Sequence, residues 1–281
     1  MAARRNAVVP VQGRDGQSMP EASGTDGLRL DREGPVARLT LSRPPNNFLD
    51  VTLVAGVADA LLALDEDPAC RVVLLAAEGK HFCAGADFSR RTDGTGAARH
   101  PVSGRTLYQE ACRLPLSRKP IVAVVQGAAI GAGLGLAAIA DFRVTCPEAR
   151  FSANFTRLGI HPGFGLTATL PRLVGAQRAA LLFYTGRRIG GEEAVAIGLA
   201  DQLVPQEGLL AAAMALAGEI AASAPLAIAS TRVTLRQGLA EAFTAAAARE
   251  EAEQDRLRQT ADFREGVRAT AERRAPDFTG S

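Results

Sequence analysis

Two stretches of glycine and alanine follow apolar runs in this sequence, and both could do chemistry through their backbone. One is Ala84-Gly85-Ala86-Asp87, and the other runs from Ile121 through Gly131 and Ala132 to Gly135. A helix that begins with small residues leaves backbone N–H groups unpaired at its positive end and lets another molecule approach them. We therefore expect negative charge, permanent or developing, at the second stretch.

Each of these two turns could donate one backbone N–H to the same oxygen. Alone, the stretch 84–87 would be a tight turn between a strand and a helix, with Asp87 as a cap. Two such donors together stabilise an oxyanion, and one donor contributes roughly 3–4 kcal/mol to a transition state. The pair of turns therefore predicts an oxyanion site.

The elements around these turns read as an α/β chain that ends in helices. Apolar runs predict the strands Leu28–Arg32, Val36–Ser42, Arg71–Ala77, Ile121–Val125, Phe142–Thr145 and Arg150–Ser152. Apolar stripes predict a helix capped by Asp50, a second from Arg105 to Leu116, and a chain that is mostly helical after Leu166. The order of strands and helices favours stacked β-β-α turns over simple βαβ alternation.

The chain divides into three parts by composition. Residues 1–27 are rich in polar residues without a period, which predicts a mobile N-terminal tail. We expect residues 28–205 to form the β-β-α core with the site, and residues 206–281 to form a helical C-terminal region. A polar segment from Ser89 to Gly104 is predicted to be flexible.

The composition argues against several functional classes. A net charge of +2, 5% aromatic residues and no Trp argue against nucleic acid or an anionic membrane as a partner. Four cysteines without a C-x-x-C pair and three histidines without metal spacing predict neither a metal site nor disulfides. No signal sequence and no long apolar run are present, so we expect a cytoplasmic protein.

A dinucleotide fingerprint is the strongest competing motif. Gly133 to Ala138 fits G-x-G-x-x-A after a strand, but no acidic residue lies near Ser152–Thr156 to hold a ribose. Its glycines also fall inside the predicted helix rather than at its start. A dehydrogenase is therefore disfavoured, and the chain contains neither G-x-S-x-G nor a P-loop motif.

Several motifs together resemble the enoyl-CoA hydratase/isomerase (crotonase) family. Lys80 to Asp87 and Lys119 to Gly135 resemble its two signatures. Leu41 to Leu49, Tyr184 to Pro205 and Arg264-Glu265-Gly266 resemble its early, middle and late segments. The resemblance covers nearly the whole chain from about residue 28.

The resemblance implies a spiral of β-β-α turns, a helical C-terminal part that trimerises, and hexamers built as dimers of trimers. It implies an acyl-CoA substrate, no covalently bound cofactor, and a thioester oxygen held by the backbone N–H groups of Ala86 and Ala132. The CoA or acyl-binding residues that it implies are Phe48, Leu49, Ala84, Gly85, Asp87, Phe88, Gly131, Gly135, Phe155 and, from a neighbouring subunit, Phe278.

The sequence departs from this pattern where the family's hydratases carry two glutamates, since Gly135 and Phe155 stand in their places. Neither can transfer a proton, which argues against ordinary two-glutamate hydration. One large apolar ring and one gap replace two charges, which predicts a less polar acyl pocket, shaped for a bulky or cyclic group. His161 is a candidate acid or base, although a loop histidine bonded to backbone is the simpler interpretation. A lyase or isomerase reaction and an acyl-CoA-binding protein with little catalysis both stay open.

Overall fold

The computed structural model describes residues 27–86 and 98–281, which form two sheets flanked by helices. The strands are β1 (Leu28–Glu33), β2 (Val36–Leu41), β3 (Val72–Ala77), β4 (Ile121–Val125), β5 (Ala128–Ile130), β6 (Phe142–Thr145), β7 (Arg150–Ser152), β8 (Arg188–Gly190) and β9 (Gln202–Leu203). The larger sheet has the order β1-β2-β3-β4-β6-β9, and the smaller has β5-β7-β8. The predicted antiparallel hairpin of β1 and β2 is confirmed, and the other pairs of the larger sheet are parallel.

The helices are α1 (Val51–Glu66), α2 (Leu107–Ala111), α3 (Ala132–Ile139), α4 (Leu166–Val174), α5 (Ala176–Thr185), α6 (Gly191–Ala196), α7 (Leu209–Ala222), α8 (Pro225–Leu235), α9 (Leu239–Leu257) and α10 (Ala261–Ala271). Asp50 caps α1 as predicted, because its side chain accepts the backbone N–H of Leu53. The predicted helical C-terminal region is also confirmed.

Successive β-β-α turns stack on one another. One turn consists of β4, β5 and α3, and the next begins with β6 and β7. β4 pairs with β6 in the larger sheet and β5 with β7 in the smaller, both in parallel. Cys83 forms a parallel bridge to Ala129, so the chain after β3 takes the same place one turn earlier. The predicted spiral is confirmed.

The structure differs from the sequence-based expectation at short elements. β5 (Ala-Ala-Ile) and β8 (Arg-Ile-Gly) were not predicted, because alanine and glycine are depleted in strands and each segment has a single β-branched residue. The predicted helix from Arg105 to Leu116 is in fact α2 followed by a 3₁₀ turn at Leu114–Leu116. Pro115 accounts for the difference, since its ring would clash with the carbonyl four residues earlier.

The C-terminal helices hold the core and close one side of the site. α7 packs across β2, β3, β4 and β6, whereas α9 packs against α2 and α4. α10 packs against the 3₁₀ turn at Asn154–Leu158. α8 is tied to the end of α3, because Arg232 and Arg236 each reach Asp141 at 2.8 Å.

Two sequence expectations concern residues that the structure does not describe. The predicted tail lies outside the described residues except for Gly27, and so does the predicted flexible segment as far as residue 97. Within residues 27–86 and 98–281, no single helix has the length and apolar character to cross a membrane. The residues 206–222 and 225–235 reach that length only as a pair bent by 106°.

Candidate active site

The two glycine-alanine turns lie side by side and are joined through their backbones. Cys83 N donates to Ala128 O at 2.9 Å, and Ile130 N donates to Cys83 O at 3.0 Å. Gly85 has φ 104°, and a Cβ there would lie 3.1 Å from Ile130 O. The turns therefore touch at the level of the main chain, where only glycine allows so close an approach with this φ.

Ala86 and Ala132 occupy corresponding places in these turns. Cys83 and Ala129 form a parallel bridge. Ala86 lies three residues after Cys83, and Ala132 lies three residues after Ala129. Gly131 has φ 54° and ψ −117°, a conformation that suits glycine and turns the chain into α3. Ala132 is the first residue of α3, so its N–H has no acceptor within the helix. Among the described residues, neither N–H donates to another backbone carbonyl.

Cys83 contacts both turns and supports them. Its side chain is fully buried, and a Cβ at Gly133 would lie 2.2 Å from its carbonyl oxygen, so α3 packs directly on this strand segment. Burial raises the pKa of the Cys83 thiol to about 12. The thiol is therefore uncharged at neutral pH, as expected of a small buried residue.

A cavity of about 1060 Å³ opens beside the two turns. Seven of the residues expected at the site line it, namely Phe48, Ala84, Gly85, Ala86, Gly131, Ala132 and Phe155. Four others do not line it, namely Leu49, Gly135, His161 and Phe278. Asp87 and Phe88 lie outside the described residues.

Gly135 does not leave a gap in the cavity wall, which corrects one sequence-based expectation. The ring of Phe164 covers it, and a Cβ at residue 135 would lie only 2.7 Å from Phe164 Cδ1. Phe155 lies against Gly131, 3.6 Å from the place that a Cβ there would take. Two buried rings thus border the turn at Ala132, and neither residue 135 nor residue 155 carries a carboxylate.

His161 faces the backbone rather than the cavity. Its Nδ1 donates to Pro162 O at 2.8 Å, and its own carbonyl accepts from Gln254 Nε2 at 2.8 Å. Thr156 and Arg157 also bond to nearby carbonyl groups, those of Phe183 and Thr185 respectively. These contacts favour the simpler interpretation of His161 as a structural loop residue.

One end of the cavity is polar and carries charge. It is lined by Lys80, His81, Gln126, Glu148, Arg150, Arg188 and Gln206. These residues belong together, because Gln126 Nε2 donates to the His81 carbonyl at 3.3 Å and Arg150 N donates to Gly127 O at 3.1 Å. The pairing of β7 with β8 brings Arg188 to the same end, opposite Ser152. Burial, with a smaller contribution from Lys80, lowers the pKa of His81. The lowered pKa favours the neutral imidazole. Cations still predominate at this end, because Lys80, Arg150 and Arg188 outnumber Glu148.

The opposite end of the cavity is mostly apolar. It is lined by Leu107, Tyr108, Phe155, Leu158, Ile160, Phe164, Gln254, Arg258, Val267, Thr270 and Ala271. Arg258 is bound on its own helix, since it donates to Gln254 Oε1 at 2.5 Å and pairs with Asp255 at 2.7 Å. Ala86 and Ala132 lie between the two ends, because Gly131 touches Phe155 while Gly127 touches the carbonyl of Lys80.

Comparison with known proteins agrees with this geometry. The enoyl-CoA hydratase/isomerase family profile matches residues 31–281. The chain belongs to this family. It is 32% identical over 257 residues to a crotonyl-CoA hydratase of Syntrophomonas wolfei, with 90% of this chain and 98% of that protein covered. It is 34% identical over 254 residues to a 2,3-dehydroadipyl-CoA hydratase of Escherichia coli, with the same coverage.

A crystal structure of an enoyl-CoA hydratase/isomerase from Pseudoalteromonas atlantica superimposes on this chain with a TM-score of 0.80 at 30% identity. The match covers 90% of this chain and all of that chain. The predicted crotonase family and its fold are therefore confirmed. The signatures around residues 80–87 and 119–135 were sufficient to identify the family from sequence.

Two residues that line the cavity, and one that supports its wall, were missed by sequence reasoning. Tyr108 and Phe164 line the apolar end, and both had the appearance of ordinary core residues. Glu250 is fully buried and accepts from Gly165 N at 2.7 Å and Thr167 N at 2.9 Å, so it holds the first turn of α4. Burial raises the pKa of Glu250. Its partners lie more than eighty residues away in sequence, where no local signal exists.

Proposed function

We propose that this protein processes acyl-CoA thioesters by stabilising a thioester enolate between the backbone N–H groups of Ala86 and Ala132. The observation that carries the proposal is the joining of the two turns through Cys83, Ala129 and Ile130, which brings two corresponding N–H groups to one cavity. Each donor contributes roughly 3–4 kcal/mol when charge develops on the oxygen. Since the donors are backbone groups, alanine serves at both positions.

The two ends of the cavity suit the two ends of an acyl-CoA. Lys80, Arg150 and Arg188 at the polar end would attract the phosphates of the nucleotide. The apolar end would receive the acyl group, and the thioester would then lie between them at Ala86 and Ala132. The implied contacts of CoA with Leu49, Asp87, Phe88 and a neighbour's Phe278 stay predictions.

The reaction that we propose is a lyase or isomerase step through this enolate. Two relatives are named hydratases, but adding water requires a group that deprotonates it and a group that protonates the α-carbon. Gly135 and Phe155 supply neither. Hydration by another base, isomerisation, decarboxylation, and formation or cleavage of a C–C bond all pass through the same intermediate. The same two residues favour the second candidate, an acyl-CoA-binding protein with little catalysis.

Two aromatic rings at the apolar end of the cavity favour a bulky or aromatic acyl group. Phe155 and Phe164 are both buried and both line the apolar end, next to the proposed enolate site. Aromatic rings pack well on one another at an offset or edge to face. A short linear acyl chain would leave much of this surface without a contact.

A panel of acyl-CoAs, measured for both binding and product formation, tests the proposal. We expect phenylacetyl-CoA to bind more tightly than butyryl-CoA, and crotonyl-CoA to be hydrated slowly or not at all. Failure to bind any acyl-CoA would overturn the proposed function. Hydration of crotonyl-CoA at a rate typical of hydratases would overturn the inference from Gly135 and Phe155, and binding without turnover would favour the second candidate.

We also expect self-association as a trimer or hexamer and a cytoplasmic location. Exposed apolar residues on α8 support the first expectation, since the exposed fractions of Leu226, Val233 and Leu235 are 85%, 61% and 73%. Light scattering coupled to gel filtration would measure the assembly, and a monomer at micromolar concentration would contradict it. Cell fractionation would test the location.

A further inference from the structure

We propose that Tyr108 carries the proton between the α-carbon of the bound acyl thioester and solvent. The inference rests on the proposed function and names a group for the step that Gly135 and Phe155 leave without one. Four side chains that can transfer a proton line the cavity within the residues that the structure describes, and three of them, Lys80, His81 and Glu148, lie at its polar end.

The fourth is Tyr108. Among the described residues that line the apolar end, it carries the one side chain that can act as an acid. A phenol has an ordinary pKa near 10, so it is protonated at neutral pH and can donate. Arg258 stays charged, and the amide of Gln254 does not titrate. The side chain of Tyr108 is largely buried, with 8% of its surface exposed.

The hydroxyl of Tyr108 is placed on the wall that borders α3. A Cβ at Gly163 would lie 2.0 Å from this hydroxyl and 2.5 Å from Gln254 Nε2, so glycine at 163 leaves room for both groups. The next residue, Phe164, covers Gly135, which lies one turn along α3 from Ala132. The phenol therefore lies beside Gly163, next to the residue that covers α3, and Tyr108 and Phe164 line the same cavity.

The position of Tyr108 is fixed by regular structure. Its helix, α2, starts with a capping box, in which the Thr106 side chain accepts from Gln109 N and the Gln109 side chain accepts from Thr106 N. α9 packs on α2 and brings Gln254, whose amide donates to His161 O and accepts from Arg258. A proton carrier held by two helices keeps its geometry during a reaction.

The proposed step moves one proton from Tyr108 to the substrate and then restores Tyr108 from water. The phenol O–H breaks, its proton goes to the α-carbon, and the enolate electron pair forms the new C–H bond while the thioester carbonyl is restored. The phenolate then takes a proton from water. In reverse, the phenolate removes an α-proton, and the electron pair moves to the oxygen held by Ala86 and Ala132.

Exchange of the α-protons of phenylacetyl-CoA in D₂O, followed by NMR, tests the step with the full-length protein. We expect the wild-type protein to catalyse this exchange and Tyr108→Phe to lose at least about 100-fold, with little change in the Kd for phenylacetyl-CoA. The matched control is Tyr184→Phe, since Tyr184 is the other tyrosine of the chain and is 79% exposed. Exchange in this control should equal that of the wild type.

The pH dependence separates proton transfer from a structural role. Because the chain has no Trp and two Tyr, the Tyr184→Phe protein reports the ionisation of Tyr108 directly by tyrosinate absorbance. The exchange rate should rise with pH at the same midpoint. Replacement by 3-fluorotyrosine, a more acidic phenol of similar size, should move both midpoints to lower pH. The elements around the phenol also carry titratable or charged groups, namely Asp59, Glu110, His161, Glu250 and Arg258.

Each outcome is decisive. If the wild-type protein binds phenylacetyl-CoA but exchange is absent, or persists in Tyr108→Phe, the role of Tyr108 is wrong while the proposed acyl-CoA function stands. If the exchange midpoint does not follow fluorination, the role is likewise wrong, and this measurement does not depend on whether Tyr108→Phe folds. If neither phenylacetyl-CoA nor butyryl-CoA binds to the wild type, the proposed function fails and the role fails with it.

Discussion

The cavity has a backbone wall at Ala86 and Ala132 and a side-chain wall at Phe155 and Phe164, whose ring covers Gly135. The two walls differ in how far they match what the resemblance implies. At Ala86 and Ala132 the atoms that we propose to bind the thioester oxygen are N–H groups, in turns held by glycine conformations and by bonds between main chains. At Gly135 and Phe155 the useful atoms in a hydratase would be carboxylates, and here they are absent. The first wall has the two joined turns, and the second lacks the two carboxylates that the family's hydratases carry.

This difference separates holding an enolate from delivering its proton. A backbone donor survives substitution of its side chain, provided that the turn keeps its shape. A proton carrier is lost by a single substitution and must be replaced from elsewhere in the cavity. We therefore expect substitutions on the backbone wall to affect every substrate, and substitutions on the side-chain wall to affect particular substrates or steps.

The largest effect should come from removing one N–H on the backbone wall. Ala132→Pro deletes the donor at the first position of α3, where proline is well tolerated in helices. We expect α-proton exchange of phenylacetyl-CoA to fall about 100- to 1000-fold, because a donor to the developing charge is lost. Ala132→Gly keeps the N–H and serves as the control. Equal rates in the proline and wild-type proteins would remove Ala132 from the mechanism.

A smaller effect is expected from crowding the same wall. Gly133→Ala would place a Cβ 2.2 Å from the Cys83 carbonyl oxygen, so the free energy of unfolding should fall by about 1–3 kcal/mol. Gly218→Ala is the control, because a Cβ at residue 218 meets no atom within 4 Å and alanine favours the helix α7. Urea denaturation measures both. Equal stability of the two variants would show that this contact is not constrained.

On the side-chain wall, Phe155→Leu should change preference rather than overall binding. Removing the ring should lower the affinity for phenylacetyl-CoA relative to butyryl-CoA by about tenfold, which corresponds to about 1.4 kcal/mol. Titration calorimetry with both ligands gives the ratio. Phe183→Leu, at a buried position that does not line the cavity, is the control. An unchanged ratio in Phe155→Leu would place the acyl group elsewhere.

The smallest effect concerns Glu250, which supports the side-chain wall through α4. Because burial raises its pKa in the folded state, the folded protein holds this proton to higher pH than the unfolded chain does. The contribution of Glu250 to stability is therefore full below the unfolded pKa and declines as pH rises through the folded pKa. Glu250→Gln should reduce this decline, whereas exposed Glu241→Gln should not. Identical pH profiles for wild type and Glu250→Gln would contradict the raised pKa.

The sequence was informative where structure follows from local pattern. The strand, the glycines and the small residues around Ala132 predicted the turn, since each of these features acts over a few neighbours. Tyr108, Phe164 and Glu250 could not be predicted in the same way, because their contacts join segments far apart in the chain. Gly135 shows the limit most clearly. Its identity was known, but the ring that covers it belongs to residue 164.

The central claim is that two backbone N–H groups polarise a thioester carbonyl, and infrared spectroscopy measures this directly. Phenylacetyl-CoA labelled with ¹³C at the thioester carbonyl should show a C=O stretch at lower frequency when bound than when free. The shift should become smaller in Ala132→Pro and stay unchanged in Ala132→Gly. A bound ligand whose carbonyl frequency equals that of the free ligand would contradict the account.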